Sequence, residues 1–239
     1  MDIKIIINNL LILLCLLFLP LNISNFINIT PNSFLVFLNI GQGDSTLICT
    51  AQKKCGLIDT GKQSEVIDKI RKYTNYPLEF LILTHSDLDH IDESILILKE
   101  IGSKRVFFNY TNKSESKIKE ILSILDEVYL LNDLNDFRFH DYVFDVICPH
   151  QLTNLNLYPS NETSISLLIK VKNYNIFMAG NLGKNLEEFL QQKERIRDIS
   201  IAKISHHGSK NSTSSNFIDN VSPKLSIIST GKNSYGHPS

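Results

Sequence analysis

The segment Thr84–His90, which reads THSDLDH, places two histidines and two aspartates in close succession. His85, Asp87 and Asp89 alternate along the chain, and His90 completes the run. Imidazole and carboxylate groups together are ligands that zinc and manganese accept in proteins. In the alternative interpretation, one aspartate caps a helix and the histidines lie on the surface. A cap explains a single aspartate, whereas a metal site explains the whole cluster, and the segment therefore predicts a metal site.

Two later segments carry further histidines. The sequence SHHGS at 205–209 contains His206 and His207, and YGHP at 235–238 contains His237. Adjacent histidines at a strand end can supply one metal ligand and one substrate contact, although a pair of surface histidines fits the same pattern. His140 and His150 have no comparable neighbours, and we interpret them as structural or exposed.

Alternating strands and helices must position these groups. An apolar run at 78–84 directly precedes the cluster, as expected of a strand covered on both faces of a sheet. Helical spacing is found at 65–73, 92–101, 114–124 and 185–192. The remaining strand-like runs are 34–40, 45–50, 55–61, 105–110, 137–148, 164–171, 175–180, 198–205 and 224–230. One mixed α/β domain over 33–239 is the economical interpretation.

The chain begins with an apolar segment. Residues 1–21 read MDIKIIINNLLILLCLLFLPL, which suits a signal peptide or a membrane span. No small-residue cleavage site follows, so an uncleaved anchor is favoured over a removed peptide. The lysine before the segment favours a domain outside the cytoplasmic membrane. Residues 22–32 are interpreted as a tether.

Composition and cysteine usage set further bounds. The formal net charge of −1 argues against nucleic-acid binding by overall charge, although a local basic groove remains compatible with it. Cys49 and Cys55 flank a short polar turn between two strand-like runs. A disulfide across a hairpin and two free thiols fit this spacing equally well.

Five motifs, taken in order, resemble one protein family. GQGDS at 41–45, LIDTG at 57–61, THSDLDH at 84–90, SHHGS at 205–209 and NSYGHP at 233–238 resemble the C-terminal metallo-β-lactamase domain of the ComEC/Rec2 competence proteins. The resemblance covers residues 34–239. It implies a four-layer αββα sandwich with one or two divalent ions, zinc or manganese, at the strand ends along one sheet edge.

The resemblance also implies roles for individual residues. The implied metal ligands are His85 and Asp87 for one ion, Asp89 and His90 for the other, His206 as the late ligand, and Asn181 at a bridging position. Asp89 would also hold the attacking water and accept its proton, and His207 would stabilise the negative charge that develops on the substrate. The implied pocket or substrate residues are Asp59, Asn161, Ser164, Ser209 and His237.

The sequence departs from the family pattern at Asn181. The family usually has an aspartate there that bridges both ions, and a neutral amide bridges poorly. This difference predicts weakened binding of one ion, a single-ion site or an impaired enzyme. Asp92 and Glu93 also stand where the family usually has two glycines.

The expected function is hydrolysis of phosphodiesters, with DNA as substrate, by a metal-activated water outside the cytoplasmic membrane. One alternative is a hydrolase of another ester, a thioester or a lactam, because one fold serves many chemistries. A second alternative is a membrane-tethered binding module without catalytic activity, disabled at Asn181.

Overall fold

A computed structural model describes residues 33–110, 115–151, 153–192 and 196–239. Ser33–Ser239 form one compact unit. The predicted membrane segment 1–21 and the tether 22–32 lie outside the described residues. No described helix has the length and apolar composition needed to cross a membrane.

The strands form two sheets. The first has the order β1-β2-β3-β4-β5, in which β1 to β3 are antiparallel and β3 to β5 are parallel. Its strands are β1 (Phe34–Phe37), β2 (Thr46–Cys49), β3 (Cys55–Ile58), β4 (Leu81–Leu83) and β5 (Val106–Phe108). The second has the order β11-β10-β9-β8-β7-β6, in which β6 to β9 are antiparallel and β9 to β11 are parallel. Its strands are β6 (Phe137–Phe139), β7 (Tyr142–Cys148), β8 (Ser166–Val171), β9 (Tyr174–Met178), β10 (Ile201–Lys203) and β11 (Leu225–Ile227).

Six α-helices accompany the sheets in the described part of the chain. They are α1 (Val66–Arg71), α2 (Leu88–Ile91), α3 (Ser94–Glu100), α4 (Ser116–Ser123), α5 (Lys184–Gln192) and α6 (Ser215–Val221). The single strand expected at 137–148 is instead a hairpin of β6 and β7. His140 adopts a left-handed conformation, with φ of 51°, and reverses the chain there.

Three apolar clusters define the layers. In the central cluster, Ile48 and Ile82 of the first sheet pack with Phe144 and Leu167 of the second. The outer face of the first sheet packs against α1, α3 and α4, and that of the second packs against α5 and α6. The layers are therefore helix, sheet, sheet and helix, and the predicted mixed α/β fold with two sheets is confirmed.

The open question about the cysteines is settled by the register of the first sheet. Cys49 of β2 lies directly opposite Cys55 of β3, and the two form a disulfide. Cys148 is buried. The disulfide closes the hairpin whose second strand leads into Asp59.

Candidate metal centre

The polar cluster lies where strands of both sheets meet one edge. Asp59 follows β3 and His85 follows β4, which are parallel neighbours. Asn181 follows β9 and His207 follows β10, which are parallel neighbours in the second sheet. Because the carboxyl ends of parallel strands share one edge, distant parts of the chain converge there. All four side chains are buried.

Asp59 organises the first sheet's contribution. Its Oδ1 accepts from the Thr84 backbone N–H at 2.8 Å, and its Oδ2 accepts from the Thr84 hydroxyl at 2.9 Å. The Nδ1 of His90 lies 2.7 Å from the same Oδ2. Since a carboxylate only accepts, Nδ1 of His90 carries a proton and its Nε2 faces the site.

The same hydrogen-bond chain orients His85. The Thr84 hydroxyl donates to Asp59, so it accepts from Nδ1 of His85, which lies 2.9 Å away. The Nε2 of His85 is therefore left as an acceptor. The rings of His85 and His90 lie 4.1 Å apart between centroids, and both buried Nε2 atoms have no hydrogen-bond partner among the described residues.

His207 brings a third imidazole from the second sheet. Its Nδ1 lies 2.9 Å from the carbonyl oxygen of Ser229, so this nitrogen donates, and its Nε2 lies 3.1 Å from Oδ2 of Asp89. His206 and His207 have positive φ values of 48° and 54°, which fold the chain sharply after β10 and direct the second ring inward. The rings of His207 and His90 lie 5.4 Å apart.

The arrangement fits a divalent ion. All three imidazoles donate from Nδ1 to protein acceptors and present Nε2, the tautomer that metal ligands adopt when a second group fixes the ring. Two buried nitrogens without partners would each cost about 1–3 kcal/mol if nothing satisfied them. The carboxylate of Asp89 faces the same space. The ligand types therefore match zinc or manganese.

Asp44 completes the cluster and had no assigned role in the sequence analysis. One ligand atom from each of Asp44, His90 and His207 lies within 4.8 Å of the others. The backbone N–H of Asp44 donates to the Asp89 carbonyl at 3.1 Å. A Cβ on Gly43, whose φ is 136°, would lie 2.4 Å from that carbonyl, so glycine is required before Asp44. The GQGDS motif was the available signal.

The charged groups of the cluster shift one another's pKa values. Burial raises the pKa of Asp44, but Lys203 and the two nearby imidazoles outweigh it and lower the pKa to about 2. Burial lowers the pKa of His90, but the carboxylates of Asp59, Asp44 and Asp89 outweigh it and raise the pKa to about 9. Without an ion, this imidazole thus carries the positive charge that the carboxylates attract.

The structure separates the adjacent histidines. His207, and not His206, contacts Asp89 and neighbours His90. His206 is half-buried, its backbone N–H donates to the Gly180 carbonyl at 3.2 Å, and its ring lies 5.7 Å from that of His237. The geometry favours His207 as the late ligand, whereas the sequence analysis assigned that role to His206.

Asp87 stands at the open side of the cluster. Its side chain is 39% exposed, and its Oδ2 lies 3.7 Å from Nε2 of His85. Burial raises the pKa of Asp87, but the nearby imidazole of His85 outweighs it and lowers the pKa. Among the two histidines and two aspartates of the THSDLDH run, Asp87 is the most accessible from solvent.

Ser164 links His85 to Asn181. Its hydroxyl oxygen lies 3.3 Å from Nδ1 of His85 and accepts from the Asn181 backbone N–H at 3.2 Å. The Oδ1 atoms of Asn181 and Asn161 are buried without a hydrogen-bond partner. Both asparagines line a cavity of about 1150 Å³ that also contacts His206. These residues therefore surround one side of the cluster.

The two remaining predicted residues support the late loops. The hydroxyl of Ser209 accepts from the Asn211 backbone N–H at 3.3 Å, which makes it part of the turn after His207. The ring of His237 stacks on that of Tyr235 and meets that of His206 edge-on, and its buried Nδ1 has no hydrogen-bond partner among the described residues. A second cavity, of about 840 Å³, is lined by Tyr235, Asp87 and Asp89 among others.

Asp59→Asn is expected to weaken zinc binding by about 10–100-fold, the usual effect of losing a group that orients a ligand. An amide has one acceptor oxygen in place of two, so it cannot hold both Thr84 and His90. Zinc affinity, measured by competition with a chromophoric chelator, checks this. Asp68→Asn on the exposed face of α1 is the matched control and should bind zinc as the wild type does. Equal affinity in both variants would show that Asp59 does not orient the imidazole.

Glu187 holds the loop that follows the histidine pair. This buried carboxylate on α5 accepts from the backbone N–H of Thr213 and from its hydroxyl at 2.9 Å. Burial raises the pKa of Glu187 from 4.5 to about 7, although the hydrogen bonds from Thr213 oppose this. The folded state therefore binds a proton more tightly than the unfolded state does.

A raised pKa stabilises the fold at low pH, and that contribution is lost as pH rises through about 7. We expect the free energy of unfolding to fall by up to about 3 kcal/mol from this group between pH 5 and 8. Glu187→Gln should flatten that part of the profile in urea denaturation, and Glu120→Gln on the exposed face of α4 should leave it unchanged. A wild-type slope in Glu187→Gln would assign the pH dependence to another group.

Comparison with known proteins agrees with this geometry. Residues 38–101 match the metallo-beta-lactamase superfamily. The chain is 29% identical over 226 residues to ComE operon protein 3 of Bacillus subtilis (strain 168), an alignment that covers 84% of this chain and 29% of the relative. It is 25% identical over 203 residues to Recombination protein 2 of Haemophilus influenzae, which covers 82% of this chain and 24% of the relative. The chain thus spans less than a third of the length of these relatives.

Solved structures show the same architecture. The metallo-beta-lactamase fold protein YhfI from Bacillus subtilis superimposes with a TM-score of 0.54 at 10% identity, over 82% of this chain and 88% of that one. Such low identity supports the fold alone. From the matched segment, the two relatives and the shared architecture, we conclude that this chain has the metallo-β-lactamase fold and resembles the ComEC/Rec2 competence proteins.

Proposed function

We propose that the domain over 33–239 is a metal-dependent hydrolase that cleaves phosphodiesters, with DNA as its substrate. The observation that carries the proposal is the pair of buried, unpartnered Nε2 atoms of His85 and His90 beside the Asp89–His207 contact. A bound zinc or manganese ion would supply Lewis acidity and activate water for attack. Asp89, His90 and His207 would hold this ion, and His85 with Asp87 would form a second, weaker position, because the neutral amide of Asn181 bridges poorly.

A carboxylate of the protein itself would accept the proton that the attacking water releases. The side chain of Asp89 is 25% exposed and borders the 840 Å³ cavity, so water has access to it. Burial raises the pKa of Asp89, but the nearby imidazoles of His207 and His90 outweigh it and lower the pKa. An ionised carboxylate at this position can accept a proton from an attacking water. The Ser229 carbonyl holds the ring of His207 in place during that transfer.

Features of the surface support a nucleic-acid substrate. Lys62 and Lys232 line the cavity beside Asp87 and Asp89 and can contact phosphates. Tyr235 lines the same cavity and is 73% exposed, as aromatic side chains that stack on bases must be. The larger cavity on the other side of the cluster offers room for a second part of the substrate.

Asn181 favours a second candidate function, that of a binding module without catalytic activity. A neutral amide in place of a bridging carboxylate weakens the hold on a second ion. Such a module would retain DNA binding through the same cavities and would not cleave.

We extend the proposal to the cellular location of the domain. Disulfides form and persist in oxidising compartments, and Cys49–Cys55 is one. Together with the apolar segment 1–21, this supports a domain held outside the cytoplasmic membrane.

The test is metal analysis of the purified full chain, coupled to hydrolysis assays on DNA, a chromogenic phosphodiester and a β-lactam. We expect about one equivalent of zinc or manganese, and cleavage of DNA and the phosphodiester that a chelator abolishes. Bound metal with DNA binding but no hydrolysis would support the binding module. Cleavage of the lactam alone would replace the proposed substrate class, absence of bound metal would reject the hydrolase, and absence of both bound metal and DNA binding would reject both candidates.

A further inference from the structure

A lysine lies buried beneath the histidine cluster. Lys203 ends β10 and is 2% exposed. Its Nζ lies 2.8 Å from Oδ1 and 2.9 Å from Oδ2 of Asp44, and it also donates to the Ile204 carbonyl at 3.2 Å. A cation from the second sheet thus contacts both carboxylate oxygens of a loop residue from the first sheet.

This ion pair is shielded from solvent. Asp44 is 6% exposed, and the void beside the pair is about 10 Å³, which is at the lower limit for a single water molecule. Burying two charges is costly, and apolar residues of similar volume would often stabilise the fold equally well. The position of the pair, directly against His90 and His207, suggests a role in the site.

Two cations would compete for the carboxylate of Asp44, namely the ammonium group of Lys203 and the proposed metal ion. One carboxylate oxygen of Asp44 lies within 4.8 Å of a ring nitrogen of His90 and of one of His207. Asp44 could therefore coordinate the same ion as these two histidines. Instead, the ammonium group of Lys203 donates a hydrogen bond to Oδ2 of Asp44 and lies 2.8 Å from its Oδ1 as an ion pair. Catalytic metal sites keep one coordination position open for water or substrate, whereas structural sites are closed by protein ligands.

We propose that Lys203 is a positioning residue that holds Asp44 out of the metal's ligand set and so keeps a coordination position open for catalysis. The inference rests on the proposed metal-dependent hydrolase. Asp44 then acts on the ion only through its charge, and Lys203 prevents the cluster from becoming a closed, structural site.

Lys203→Met is the first test. It frees the carboxylate, so we expect zinc affinity to rise by about tenfold or more, while DNA hydrolysis falls by about tenfold or more. A pair that only braces the two sheets predicts the reverse for affinity, because a loosened site binds zinc more weakly. Lys170→Met is the matched control, since it removes a lysine paired with Asp145 on the surface of the same sheet. It should change neither quantity.

The double variant Asp44→Asn/Lys203→Met removes both charges and tests the ligand set directly, even if the single variant fails to fold. With cobalt in place of zinc, its visible absorption spectrum should match that of the wild type, because no ligand is lost. An altered spectrum would show that Asp44 coordinates the ion and would overturn the inference, as would unchanged or weaker zinc binding in folded Lys203→Met. A wild-type chain that binds no metal would instead reject the proposed function itself.

Discussion

His90→Ala is expected to abolish stoichiometric zinc or manganese binding and, with it, hydrolysis. This ring lies between those of His85 and His207, at 4.1 Å and 5.4 Å between centroids. Its loss removes a ligand from the centre of the cluster and the charge that Asp59 and Asp44 attract. We expect zinc affinity to fall by more than about 100-fold, the upper end for losing a group that merely orients a ligand.

Metal content after dialysis and chelator competition would measure this loss. His90→Gln should behave in the same way, while its amide can still donate to Asp59 and maintain the local structure. His140→Asn removes an exposed histidine at the β6–β7 turn and should bind zinc like the wild type. Retention of zinc and activity in folded His90→Gln would contradict the proposed centre.

Asn181→Asp is expected to convert a site for one ion into a site for two. The side chain is buried at the end of β9, and its Oδ1 has no hydrogen-bond partner. In the metal-free protein, the new carboxylate would be an uncompensated buried charge, which destabilises by about 3–5 kcal/mol. In the metal-loaded protein, the ion would offset that cost, because a ligand that binds only the folded state stabilises it.

The variant should therefore show a lower Tm without metal, a larger rise in Tm on adding zinc, and about one more equivalent of bound zinc. Asn109→Asp is the matched control. Asn109 is also buried, and its amide exchanges hydrogen bonds with the Leu131 backbone at 2.9 and 3.0 Å. Its aspartate variant should be destabilised without rescue by zinc. Unchanged stoichiometry in Asn181→Asp would show that this position does not face the ion.

Local spacing was enough to predict the centre's main segment. His85 and His90 lie in one short run after an apolar strand, and a strand end determines which way such side chains turn. The mixed α/β domain was predicted from the alternation of helical and strand-like runs, and the two sheets from the family resemblance, although β6 and β7 were expected as a single strand. The hairpin depends on the left-handed conformation of His140, which a sequence pattern does not indicate.

Other parts of the centre depend on contacts between distant residues. His206 and His207 are adjacent and identical in type, and only the left-handed conformation after β10 determines which ring meets Asp89. Asp44 and Lys203 are separated by 159 positions, and neither carries a signal of its partner. Cys49 and Cys55 had suitable spacing, but spacing alone does not distinguish paired from free thiols.

Both sheets supply side chains to the metal centre, and the first sheet supplies more of them. The early half of the chain supplies Asp59, His85 and His90, and the late half supplies Asn181 and His207. Neither half contains a complete ligand set, so two fragments cut between β5 and β6 would each be inert and would regain ion binding only on reassociation. An ion bound by residues of both halves would hold the two sheets together. The fraction of protein with bound ion would then show whether the sandwich is assembled.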